Sequence, residues 1–213
     1  MNLDDLTQRA DIWRGGDAPP PSGLASGYAA LDALLNGGWP QGALVEVLSD
    51  YRGIGELRLL LPALATLTQE ERWLVFIAPP YQPYAPALAR AGVQLNRVLQ
   101  IQPGNRADTF WALEQTLRSG SCGAVLAWLP QADARRLRRL QLAAEAGDSL
   151  GFLFRKPSVC REGSPAAVRL RLAPATGGLS VEVLKRRGGW PTGPIDLEVG
   201  HALALSGFSE AGA

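Results

Sequence analysis

The stretch Leu44 to Leu61, LVEVLSDYRGIGELRLLL, constrains this chain more than any other. Leu44–Leu48 is short, mostly apolar and bounded by turn residues, which predicts a buried strand. Gly53 and Gly55 punctuate the turn, and Glu56–Leu67 then spaces apolar residues as a helix does. Strand, glycine turn and helix is the layout in which backbone N–H groups and a helix N-terminus cradle a phosphate. Nucleotide chemistry there also needs a Lys for the β- and γ-phosphates and a Ser or Thr for the metal. Here Glu56 and Leu57 follow Gly55, and an acid at that point repels a triphosphate. The expectation is a vestigial phosphate loop (Ser49, Gly53, Gly55, Glu56) that holds no cofactor.

Further strands are predicted at Trp73–Ala78, Val98–Ile101, Gly123–Leu129 and Leu150–Phe154, with helices at 87–91, 108–119 and 133–145 between them. The strands are nearly all apolar, as expected where helices cover both faces of a parallel sheet. Past Arg155 the alternation ends. Val168–Leu172 and Leu179–Leu184 alternate apolar with polar around Gly177-Gly178, which predicts a β-hairpin with one covered face. Residues 195–199 add a last strand. The fold class expected is α/β, three-layered, with a mostly parallel sheet and antiparallel strands at its C-terminal edge.

Residues 1–22 read as an N-terminal arm and linker: Leu3, Leu6 and Ala10 lie at helical spacing with Trp13 beyond, and Gly15–Ser22 is rich in Gly and Pro. Residues 23–200 form the domain, in which Gly27–Leu35 is a short helix stopped at Asn36-Gly37. Residues 201–213 read as a flexible tail.

A hydrophobic content of 46% with 19% charged residues supports a packed core over 213 residues. A net charge of +1 makes no global case for nucleic acid, so any basic footprint is local. Cys122 and Cys160 fit a reducing compartment, and neither a secretory leader nor a membrane-length apolar run is visible, which together point to the cytoplasm. No metal site is expected, because the cysteines lack ligand spacing and the one histidine, His201, falls in the tail. The same lone histidine leaves no catalytic triad to argue.

Three surfaces are candidates for partner or DNA contact. Arg135, Arg136, Arg138 and Arg139 put positive charge on neighbouring helical positions; the alternative is a solvated face above a core stripe of Leu137, Leu140 and Ala144. Lys185, Arg186 and Arg187 with Trp190 could pair and stack with single-stranded nucleic acid, or simply end a soluble strand. Tyr81 and Tyr84, in a loop stiffened by four prolines, could form a recognition surface where α/β proteins place ligands, or a stiff connection.

Ser26-Gly27…Leu31-Asp32, Gly37-Gly38-Trp39-Pro40-Gln41-Gly42 and Val45-Glu46-Val47 together resemble the entry to the RecA recombinase core. Later matches follow in the same order over roughly residues 22–199. The resemblance implies a RecA-like fold without its chemistry. The lysine and threonine of the loop correspond to Glu56 and Leu57, the water-activating acid to Pro80 and the metal-binding Asp to Trp128. Phosphoryl transfer depends on all three parts, so no enzyme is expected. The wording of 48–57, Ile77–Pro86, Ala127–Pro130, 137–145 and 184–189 is similar to the ImuA proteins, and more distantly to the SulA cell-division inhibitors. Likeness to ImuA implies an accessory protein of damage-induced, error-prone translesion DNA synthesis in the SOS response. Its partners would be ImuB, a Y-family polymerase relative, and a replicative-type polymerase subunit, with RecA, self-association or weak DNA contact beside them. Likeness to SulA implies instead that the chain binds FtsZ and blocks its polymerisation. A single-stranded DNA-binding module is a third expectation.

Overall fold

A computed structural model describes residues 23–199; the expected arm (1–22) and tail (201–213) lie outside that range. The elements, in order, are β1 Gly23–Leu24, α1 Ala29–Leu35, β2 Trp39–Pro40, β3 Leu44–Leu48 and α2 Glu56–Gln69. Then come β4 Trp73–Ile77, α3 Ala85–Arg90, β5 Val98–Ile101, α4 Arg106–Arg118 and β6 Cys122–Trp128. α5 Ala134–Ala146, β7 Leu150–Arg155, β8 Val168–Ala175, β9 Gly178–Arg186 and β10 Thr192–Leu197 follow within the described residues.

β1 and β2 form a small antiparallel pair, and the other strands make one sheet of order β10-β9-β8-β3-β7-β6-β4-β5. From β8 to β5 all pairings are parallel; β9 runs antiparallel to both its neighbours. The α/β class, the mostly parallel sheet and the antiparallel C-terminal strands thus stand as expected. α1, α2 and α3 pack on one face and α4 and α5 on the other, each over its own apolar cluster. β3 is buried on both faces, with apolar Leu44, Val45, Val47 and Leu48 around a buried Glu46. Among the described residues no helix is long and apolar enough to cross a membrane.

α2 tolerates Pro62 in its interior. Proline supplies no N–H to the carbonyl four residues back, and here the Tyr28 hydroxyl donates to that carbonyl, Arg58 O, at 3.3 Å. Pro62 in turn packs on Gly27, whose φ of +86° and lack of a side chain are both needed, since a Cβ there would lie 2.5 Å from the proline ring. α3 begins at Ala85, two residues before the expected start, because Pro86 sits in its first turn, where a missing N–H costs nothing. The β1–β2 pair has no signal in the hydrophobic pattern, each strand being two residues long.

The link from β7 to β8 is a parallel crossover with no helix, only the 3-10 turn Pro157–Arg161. Its carbonyls therefore need donors from elsewhere. Arg169 supplies them from β8: Nη1 donates to Cys160 O (3.2 Å) and Glu162 O (2.9 Å), and Nη2 to Val159 O (2.8 Å). Register places Glu46 of β3 between Leu153 and Arg169 on its two neighbours. Its carboxylate takes Arg155 Nη1 on Oε1 and lies 2.6 Å from Arg169 Nε on Oε2, the second contact being close but off the hydrogen-bonding direction. Arg155 Nη2 also donates to Ala132 O at 3.0 Å. All three side chains are nearly sealed from water, with 0–6% exposed.

Candidate functional site

The parallel register aligns the carboxyl ends of the central strands. Leu48 lies opposite Arg155, Trp128 opposite Phe154, and Ile77 opposite both Ala127 and Ile101. The loops that follow them open on one edge, where an α/β sheet places ligands.

The loop after β3 has the backbone of an anion cradle, with Gly53 at φ +70° and Gly55 at +111°. Its two glycine N–H groups are already engaged. Gly53 N–H donates to Glu56 Oε1 at 2.9 Å and Gly55 N–H to Oε2 at 3.2 Å, so the carboxylate of the first helical residue closes the loop from within. The favourable placing of an acid at a helix N-terminus is part of its role; the carboxylate also ties down the loop residues that lead into the helix. Ser49 accepts a hydrogen bond from Tyr51 N–H (3.1 Å), and Leu57 packs against the core.

At the end of β6, Trp128 stacks with Phe154 (centroids 4.5 Å apart) and Phe76 (6.4 Å). An aromatic layer thus fills the strand ends beneath the loop. Beyond β4, Ala78 turns the chain with φ +49°, Pro79 is buried and Pro80 exposed. The loop then displays Tyr81 and Tyr84, 73% and 72% exposed, and the loop after β3, two strands away across β7 and β6, exposes Tyr51 at 54%. Sequence reasoning proposed Tyr81 and Tyr84 but missed Tyr51, which an apolar-pattern search passes over in a polar loop.

The four arginines of α5 are all exposed, and two of them are engaged by neighbours. Arg136 lies 4.6 Å over the Phe110 ring and 3.8 Å from Asp133, and Arg139 pairs with Glu114 at 2.5 Å, sealing the seam with α4. Arg135 and Arg138 are exposed and have no ion pair among the described residues. The second basic cluster lies at the opposite end of the sheet, since Arg186 faces Val168 and Val168 faces Val45 near the start of β3. There Lys185 Nζ donates to Ser164 O (2.6 Å), Arg187 meets Glu145 at 3.5 Å, and the Arg186 guanidinium lies on Gly189. Burial, helped by the charges of Arg169 and Arg187 against that of Glu46, pushes the Lys185 ammonium below its usual pKa. Trp190 is 84% exposed beside them. The fold therefore separates Trp190 and its cations from Tyr81 and Tyr84, and the two basic clusters sit at opposite ends of α5, about 15 Å apart at 1.5 Å per residue. No group of His, Cys, Asp and Glu among the described residues could hold a metal ion.

A family model described as "Cell division inhibitor SulA" matches residues 44–151, just over half of the chain. A cell division inhibitor SulA of Photorhabdus laumondii is 36% identical over 112 residues, which span 53% of this chain and 63% of that protein. The Yersinia pestis SulA is 33% identical over 115 residues, 54% of this chain and 68% of its own length. The crystal structure of SulA from Pseudomonas aeruginosa is 31% identical and superposes with a TM-score of 0.44, covering 53% of this chain and 97% of that one. These matches correct the expectation of an accessory protein for translesion DNA synthesis with ImuB and polymerase partners: the relatives are division inhibitors, and the distant likeness of the two considered is the one found.

Proposed function

Since the chain belongs to the SulA family of cell division inhibitors, we propose that it is itself a division inhibitor that binds FtsZ and blocks its polymerisation during the SOS response. The observation that carries this reading is the strand-end edge. Glu56 occupies two of the loop's donors, Trp128 and Phe154 fill the strand ends, and Tyr51, Tyr81 and Tyr84 stand exposed on the loops after β3 and β4. The edge is furnished for contact and has no chemistry to perform. Tyrosines on a loop fixed by prolines suit a protein interface, because they bury large area and lose little conformational freedom. The RecA-like reading of the core is kept within this proposal, supported by the order of its motifs along the sheet. Arg135 and Arg138 at one side would add charge that speeds encounter.

The test is FtsZ polymerisation followed by light scattering with the purified full chain added, alongside overexpression in dividing cells. Stoichiometric loss of polymer and filamentous cells are expected. Tyr81→Ala with Tyr84→Ala should weaken inhibition about tenfold, a modest value for interface aromatics. Undiminished FtsZ polymer at excess chain, together with normal division, would overturn the proposal.

A further inference from the structure

α5 and the crossover from β7 to β8 lie side by side on one face of the sheet, over β3. At the start of β3 both meet Leu44. Its N–H donates to Gln141 Oε1 of α5 at 3.1 Å, and its carbonyl accepts from Ala167 N–H at 3.0 Å. At the other end Arg155 Nη2 reaches Ala132 O, in the loop that enters α5. Ala166 of the crossover belongs to the same apolar cluster as Leu137 and Leu140 of α5. Arg138 shares a helix side with Gln141 and with Glu145, which meets Arg187 of the strand beyond, so it lies on the side of α5 turned to the crossover.

The seam between them is basic. Arg135 and Arg138 on α5, and Lys156 and Arg161 on the crossover, are exposed and have no ion pair among the described residues. Beneath them Arg155 and Arg169 share the single carboxylate of Glu46, which leaves a buried positive charge in excess, and Arg155 Nε has no hydrogen-bond partner. Against these stand the exposed Glu162 and, farther along α5, Glu145, which Arg187 holds at 3.5 Å. The whole chain carries only +1, so the excess is a local concentration of charge.

Two observations favour an acidic peptide over a nucleic acid as its ligand. The large exposed aromatics on which bases would stack lie elsewhere: Tyr51, Tyr81 and Tyr84 on the loops after β3 and β4, Trp111 on α4 and Trp190 after β9. The seam also opens onto the strand-end edge, where Ser49 N–H donates to Arg155 O at 3.1 Å, so Lys156 follows beside the loop that exposes Tyr51. We propose that the seam between α5 and the β7–β8 crossover binds an Asp- and Glu-rich segment of a protein partner, whose carboxylates meet Arg135, Arg138, Lys156 and Arg161. Arginine forks suit this ligand, because each takes a carboxylate through two parallel hydrogen bonds. Lys156 and Arg161 lie past residues 44–151, which the SulA family model matches, so half of this site is additional to the matched stretch. The choice of a protein ligand rests on the reading of the strand-end edge as a protein interface.

Fluorescence anisotropy of labelled poly-L-glutamate, titrated with the full chain, tests the seam without FtsZ, so this proposal and the division-inhibitor reading fail separately. Binding at low salt that weakens as salt is added is expected. Arg138→Glu and Arg161→Glu should each weaken it about tenfold, because a like charge then faces the ligand. Arg90→Glu makes the same charge change at an exposed position of α3, on the other face of the sheet, and should leave binding as it was. Absence of binding at low salt overturns the proposal, as does an equal loss in Arg90→Glu and the seam variants. Tighter binding of labelled oligothymidylate, lost in the same seam variants, also overturns it, since the ligand is then a nucleic acid.

Discussion

Replacing Glu46 by leucine removes the one negative charge between Arg155 and Arg169. The side chains fit in size, but two guanidiniums that are 1% and 6% exposed are left without a counter-charge. Breaking a buried pair in this way costs about 3–5 kcal/mol. At about 2–4 °C per kcal/mol for a chain of this length, the melting temperature should fall by roughly 6–20 °C. Urea unfolding followed by tryptophan fluorescence measures the free energy directly, at unchanged slope. Arg171→Ala is the control: it breaks a pair with Glu182 in which the arginine is 48% exposed, so it should cost less than about 1 kcal/mol. A second variant separates charge from wiring. Glu46→Leu with Arg155→Met and Arg169→Met should regain part of the loss, because no buried charge remains. It should not regain all, since the carbonyls of Val159, Cys160, Glu162 and Ala132 lose their donors. If Glu46→Leu unfolds within about 1 kcal/mol of the parent, the buried triad is not what fastens β7, β3 and β8.

Tyr28→Phe should cost about 1 kcal/mol by leaving Arg58 O without its donor. Burial raises the Tyr28 pKa above its ordinary 10.0, so the neutral phenol is favoured in the folded state. That contribution is full below pH 10 and is lost as pH rises through the raised folded value, so in alkaline urea titrations the gap between parent and variant should close. Glu56→Ala should destabilise by about 1 kcal/mol through the loss of its hydrogen bonds to the loop, with Glu56→Gln intermediate because one acceptor oxygen remains. Equal stability of Glu56→Ala and the parent in urea would show that the loop does not depend on its carboxylate.

The sheet was legible because its signals are local. β4 and β6 are continuous apolar runs, β3 is one but for Glu46 and β7 is one up to Arg155, and the switch to alternation at Val168 marks where one face lost its helix. What stayed hidden depends on residues distant in sequence that register brings together. Glu46, Arg155 and Arg169 each read as an ordinary charge in or after a strand; only three aligned strands reveal a buried cluster. That two arginines of α5 are engaged was hidden in the sequence because Glu114 and Phe110, which hold them, lie on another helix. At the candidate site, Glu56 and Trp128 stood out as departures from a nucleotide pattern. Their present work, capping a glycine loop and completing an aromatic layer, required coordinates.

The position of β3 between β7 and β8 has a consequence for the order of folding. β8 begins at residue 168, so until synthesis passes that point β3 has only β7 beside it and is an edge of the growing sheet. An apolar strand at such an edge invites pairing with another nascent chain. Glu46 is then a charge on a half-built edge strand held by Arg155 alone, and burying it under a foreign strand that brings no second cation would be costly. When β8 arrives with Arg169, the same carboxylate becomes the contact that accepts it. One residue thus guards the edge against the wrong strand and fastens the right one.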